Sequence, residues 1–126
     1  ISLTKIVLPN SVTEIGYATF KNCKKLANIT MMTGITFIGD YAFDGCSSLK
    51  SIVLSENITS IGYFAFNGCS SLKSIEIPNK VETIGSDAFN GCYDLMIFCV
   101  ATSKPNGWDI NWNSSNCIVV WNCKKI

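Results

Sequence analysis

Of the side chains that most often ligate metals or attack carbonyls, this chain has seven Cys and no His at all. Four of them, Cys23, Cys46, Cys69 and Cys92, recur every 23 residues. A zinc site draws on closely spaced pairs of cysteines, and none occurs, so no metal site is expected. A catalytic thiol needs a neighbouring base, and the commonest one is missing. The four periodic thiols therefore read as buried and inert, since Cys is among the residues most often found inside. Side chains stacked in register sit too far apart for a bridge, whose Cβ atoms want a separation of about 3.8 Å. Cys99, Cys117 and Cys123 fall outside this spacing. Cys99 is expected on an outward strand position. If a last strand stacks beside residues 97–100, Cys99 and Cys117 become the candidate disulfide pair.

The other polar residues offer less. Asp40, Asp44, Asp87 and Asp94 are scattered along the chain, and read as solvating or capping groups. All ten basic residues are Lys, and the net charge is only +1. Without Arg, the usual bidentate reader of phosphates and base edges is missing, so no nucleic-acid partner is expected. No apolar run is long enough for a membrane helix, so no membrane insertion is expected of this stretch. No cofactor-binding motif stands out. Enzymatic function is not expected.

The cysteine spacing belongs to a larger pattern. Ile15, Ile38, Ile61 and Ile84 are each followed by Gly; Phe20, Phe43, Phe66 and Phe89 keep the same interval, as do Leu26, Leu49, Leu72 and Leu95. A period of this length means coils stacked in one direction, each covering the apolar side of the next. A strand is expected after each Leu, in the pattern Leu3, Ile6, Leu8; then Leu26, Ile29, Met31; Leu49, Ile52, Leu54; Leu72, Ile75, Ile77; and Leu95, Phe98, Val100. These strands should line up as one continuous parallel sheet. A second inward pair follows in each coil, for example Ile58 with Ile61. The segment after each Ile-Gly, such as 39–44, reads as a short helical turn, ended by a left-handed Gly45, Gly68 or Gly91, with Asn22 as the substitute in the first coil. After Leu95 the repeat decays into a segment with Trp108, Trp112 and Trp121. These rings are expected to cover the open end of the stack, with a sugar-stacking platform as the lesser alternative. The first residue lies in mid-repeat with no equivalent cover, so the natural protein is expected to continue upstream.

The run Ile61-Gly62-Tyr63-Phe64-Ala65-Phe66-Asn67-Gly68-Cys69, continuing to Leu72, Ile75, Ile77 and Val81, resembles the BspA-type leucine-rich repeat family. The resemblance implies an α/β repeat solenoid: a right-handed coil with a parallel β-sheet on one face, short helical turns on the other, and a C-terminal cap. Residues 1–103 would form the solenoid, about four repeats with a partial first coil, and 104–126 the aromatic cap. It also implies an extracellular or cell-surface protein that adheres to host proteins or other cells. The outward strand positions then become the candidate binding residues: Lys5, Asn28, Thr30, Ser51, Val53, Lys73, Ser74 and Glu76. A spacer carrying another binding domain and a glycan-binding module are the alternative roles.

Overall fold

The computed structural model describes residues 4–123; the expected strand position Leu3 lies outside the described residues. Ten short strands run in chain order: β1 (Lys5–Leu8), β2 (Glu14–Ile15), β3 (Asn28–Met31), β4 (Phe37–Ile38), β5 (Ser51–Val53), β6 (Ser60–Ile61), β7 (Ser74–Ile77), β8 (Thr83–Ile84), β9 (Met96–Cys99) and β10 (Ile118–Val120). Every pairing is parallel and joins one coil to the next. The register is the sequence period made visible: Ile6 opposes Ile29, Ile29 opposes Ile52, and Ile38 opposes Ile61. Alternation then sends Ile29, Met31, Ile52, Ile75 and Ile77 inward, and leaves Lys5, Asn28, Ser51, Ser74 and Glu76 exposed.

The core is a set of columns running along the stack. Phe20, Phe43, Phe66 and Phe89 lie ring over ring, with centroids 5.3, 5.2 and 5.4 Å apart and planes within 10° of parallel. Phe43, Phe66 and Phe89 are fully buried. Beside them, three of the four ladder thiols hydrogen-bond a Phe carbonyl of the coil before: Cys46 Sγ to Phe20 O at 3.1 Å, Cys69 to Phe43 at 3.3 Å, Cys92 to Phe66 at 3.1 Å. A thiol is small enough to sit in the core and polar enough to satisfy a carbonyl, which explains the periodic Cys.

Three expectations need correction. The segments read as helical turns are not helices. In 39–46, N–H groups alternate between a carbonyl three residues back (Ala42 to Gly39, Asp44 to Tyr41) and one in the next coil (Tyr41 to Tyr63, Phe43 to Ala65, Gly45 to Asn67). Left-handed residues at Tyr41 (φ 60°) and Gly45 (φ 76°) interrupt any right-handed run. A chain that gives half its donors to a neighbour has too few left for an α-helix.

The sheet is also not continuous. β1-β3-β5 form one sheet and β7-β9-β10 another, while β2-β4-β6-β8 form a separate four-stranded ladder. After β1 and β3 the link continues through Met32 N–H to Leu8 O, and after β9 through Val100 N–H to Ile77 O. The corresponding residue after β7 is Pro78, which has no N–H to give.

The third correction concerns phase. β7 and β9 pair Ile75 with Ile97 and Ile77 with Cys99, an offset of 22 and not 23. One residue is missing between Leu95 and the strand. The inward pair is therefore Ile97 and Cys99, both fully buried, and not Phe98 and Val100.

The end of the stack is closed by tryptophan. Trp108 bridges to Ile84 as a further rung, and its Nε1–H donates to Val81 O at 3.1 Å. Trp112 meets Phe89 edge-on at 6.2 Å, terminating the Phe column, and Trp121 packs against both other indoles.

Candidate functional site

The outward residues of β1, β3 and β5 form short rows across three coils. Lys5 is in register with Asn28, and Asn28 with Ser51, whose hydroxyl donates to Asn28 Oδ1 at 2.7 Å. The next row is Val7, Thr30 and Val53. The row on the other sheet is Glu76 and Phe98, with Ser74 opposite Met96. Of the eight candidate residues, Thr30 is half-buried and the rest are exposed. Lys73 is drawn aside into an ion pair with Asp94 at 3.1 Å. Both partners are well exposed, so this pair adds little to stability.

Where the sheet breaks, the surface dips. One depression of about 320 Å³ lies between β5 and β7, lined by Val53, Ser74, Glu76 and Pro78 over Ile52, Leu54 and Ile75. A second, of about 290 Å³, continues from Glu76 and Pro78 to Glu56, Asn57, Asn79, Lys80 and Val100. Lys80 Nζ donates to Asn57 Oδ1 at 2.8 Å along this rim. Three predicted residues, Val53, Ser74 and Glu76, thus meet at one place. Lys5, Asn28, Thr30 and Ser51 lie on the sheet before the break. Sequence reading missed the depression itself; Pro78 lines it, but Pro9 sits just past β1 in the same way without breaking the pairing of β1 with β3.

These hollows are at or below the smallest pockets that enclose small molecules, roughly 300–1,000 Å³. They suit a side chain projecting from a partner. No His, Cys, Asp or Glu cluster able to hold a metal ion is present among the described residues.

The thiols do not form a reactive site. Burial pushes Cys46 up to about 11 and Cys99 up to about 12. Cys69 is pushed up by the neighbouring Cys92 thiol and by burial, and Cys92 is lowered by Cys69 in turn, while each keeps its hydrogen bond to a Phe carbonyl, Phe43 O and Phe66 O. The expected Cys99–Cys117 bridge does not form: both thiols are free, and Cys99 is inward, not outward. β10 pairs Ile118 with Met96, which sets Cys117 level with Leu95. Cys99 is four residues further on, about 13 Å along the strand. Cys117 Sγ instead contacts Cys92 O at 3.2 Å.

The tryptophans do not form a sugar platform either, because Trp108 and Trp112 are buried in the cap. Exposed rings lie elsewhere, among them Tyr17, Tyr63 and Tyr93. Sequence reading passed over these residues. Tyr17 and Tyr63 share one position in the repeat, which was the signal available.

Residues 1–104 match the family model for the BspA type leucine rich repeat region, in six copies. The chain belongs to that family. Among solved structures, it is similar to a leucine rich cell surface protein from Faecalibacterium prausnitzii, with 31% identity and a TM-score of 0.80. That likeness covers 97% of this chain and 33% of the other, so the chain spans a third of that protein's length. A leucine-rich repeat protein from Bacteroides capillosus is 30% identical with a TM-score of 0.70, over 79% of this chain and 78% of its own. The T. pallidum leucine rich repeat protein is 26% identical with a TM-score of 0.59, over 77% and 59%. No curated protein matches the sequence.

Proposed function

We propose that this chain is a non-enzymatic interaction module of a cell-surface or secreted protein, binding a host protein or another cell through its sheet face. A parallel solenoid holds side chains at fixed spacing on a surface larger than a pocket, which suits a macromolecular partner. The observation that carries the reading is the hollow at the sheet break, where Val53, Ser74 and Glu76 surround an apolar floor of Ile52, Leu54 and Ile75. A hollow with an apolar floor and a polar rim is the usual seat of a partner's anchoring side chain. The surface location is supported by the Faecalibacterium relative, which is described as a cell surface protein.

The test is a binding panel of extracellular host proteins and whole cells, read with Val53→Asp, Ser74→Lys and Asn28→Ala. Val53 is exposed, so Val53→Asp leaves the core intact. Loss of a captured ligand with Val53→Asp and Ser74→Lys, and only a small change with Asn28→Ala, supports the hollow as the anchor. Equal capture by all three variants places the binding surface elsewhere.

A further inference from the structure

We propose that Asn106 is a site of spontaneous covalent modification: its side-chain amide is lost through an imide formed with Gly107, and the product loosens the tryptophan cap. The site lies apart from the sheet face and does not depend on its reading.

The dipeptide Asn-Gly occurs three times, at 67–68, 90–91 and 106–107. It suits this chemistry because Gly has no side chain to shield its own backbone nitrogen. The fold treats the three copies differently.

Asn67 and Asn90 belong to a polar ladder running from Asp44 to Ser115. Asn67 Nδ2–H donates to Asp44 Oδ1 at 2.8 Å, Asn90 Nδ2–H to Asn67 Oδ1 at 2.9 Å, and the Ser115 hydroxyl to Asn90 Oδ1 at 3.4 Å. Both Asn residues are half-buried. The nitrogens that would attack are engaged too: Gly68 N–H donates to Asn90 O at 2.8 Å, and Gly91 N–H to Ser115 Oγ at 3.0 Å. Reaction at either site must first break these bonds, so it waits on local opening.

Asn106 and Gly107 are both exposed, in a turn closed by Trp108 N–H to Pro105 O at 3.2 Å. Among the described residues, neither the Asn106 side chain nor Gly107 N–H makes a hydrogen bond. Only rotations within the turn are needed to bring the nitrogen to Cγ.

The step balances without a cofactor. Gly107 N gives up its proton and attacks Asn106 Cγ. The N–Cγ bond forms, the Cγ–Nδ2 bond breaks, and ammonia leaves with that proton. Water then opens the imide. Opening at Cγ leaves an ordinary aspartate. Opening at the backbone carbonyl leaves an isoaspartate, whose main chain runs through Cβ and is one atom longer.

That extra atom falls where the chain has little slack. Gly107 lies so close to Glu82 O of the coil before that a Cβ on it would clash. The next residue, Trp108, forms the rung with Ile84, and its Nε1–H reaches Val81 O. Asp109 N–H continues the rung to Ile84 O at 2.8 Å. Lengthening the chain directly ahead of these bonds pulls them out of register.

The test is incubation of the folded chain in mildly alkaline buffer, with fragment-ion mass spectrometry to locate each Asn converted. We expect Asn106 to react about fivefold faster than Asn67 and Asn90, or more, because those two wait on opening. A smaller ratio overturns the proposal. In urea the preference should fall below about twofold, since the fold is its cause. A larger residual preference in urea also overturns it. Asn106→Ser should abolish the fast release of ammonia and leave the melting temperature unchanged; release at the parent rate places the reactive site elsewhere. The isoaspartate form, isolated by chromatography, should melt below Asn106→Asp, which adds the charge without the extra atom. Equal melting of those two forms overturns the coupling to the cap.

Discussion

Two aromatic columns run along this molecule, one inside and one outside, built by the same coils. The inner column holds Phe20, Phe43, Phe66 and Phe89 and ends on Trp112. The outer column holds Tyr41 and Phe64 and ends on Ala18 and Asp87. Ring spacing and tilt are nearly the same in both, 5.2–5.4 Å and 3–10°. Stacking is therefore a consequence of parallel register, and does not by itself tell structure from function. What differs is cover and continuity. The inner column is filled in every coil and closed at the far end. The outer one is filled in two coils and left partly open to water.

Substitutions two residues apart separate the columns most sharply. Phe66→Ala removes a fully buried ring from the middle of the inner column and should cost about 3–5 kcal/mol. Phe64→Ala, at a half-buried position, should cost less than half as much. Urea denaturation followed by circular dichroism reads both. Equal losses would mean that the outer column is structural too.

Next in size is the approach of one coil to another. A Cβ on Gly62 would sit 2.5 Å from Asp40 N in the coil before, whereas one on Gly16, in the first described coil, would meet only Thr19 Oγ1 at 3.6 Å. Gly62→Ala should therefore cost roughly 1–3 kcal/mol by forcing coils apart. Gly16→Ala should be close to neutral. Matching midpoints for the two variants would contradict coil contact as the reason for the glycine.

The buried thiols provide a pH test of the interior alone. Burial raises Cys46 from 9.0 to about 11 and Cys99 to about 12. Below pH 9 these thiols are protonated whether the chain is folded or unfolded, so their contribution is fully present. As pH rises from 9 towards 11–12, the unfolded chain ionises first and stability falls. Cys46→Ala should flatten this decline while lowering stability at neutral pH. Mass spectrometry of the alkylated native protein, with and without reductant, should show no disulfide. A two-hydrogen difference would place a bridge where the structure has free thiols.

Features that repeat were legible in the sequence. Period, register, inward residues and the left-handed positions Gly45, Gly68, Gly91 and Asn22 all follow from one pattern seen several times. The tryptophan cover was also foreseeable, because a stack must be closed. Features that occur once were not. The dropped residue before Ile97 shifted β9 against a rule learned from the earlier coils, although Leu95, Ile97 and Cys99 alternate as a strand should. The break between β5 and β7 depends on pairing, which a single strand's pattern does not encode. The helical turns failed because a six-residue segment does not reveal whether its N–H groups bond within the coil or across to the next. The candidate residues Val53, Ser74 and Glu76 were found as outward positions, but their convergence on a hollow required the break.

The smallest expected effect on stability discriminates most. Tyr17→Ala removes a large apolar side chain, yet 70% of that residue is already in water and its ring contact is a single edge-on approach to Tyr41. Its loss should move the urea midpoint by no more than the equivalent of about 0.5 kcal/mol. A Tyr on which the fold depends should show a clearly larger loss. Urea denaturation of the purified variant reads this at the open end of the outer column. A stability loss as large as that of Phe64→Ala would make the outer rings an extension of the core.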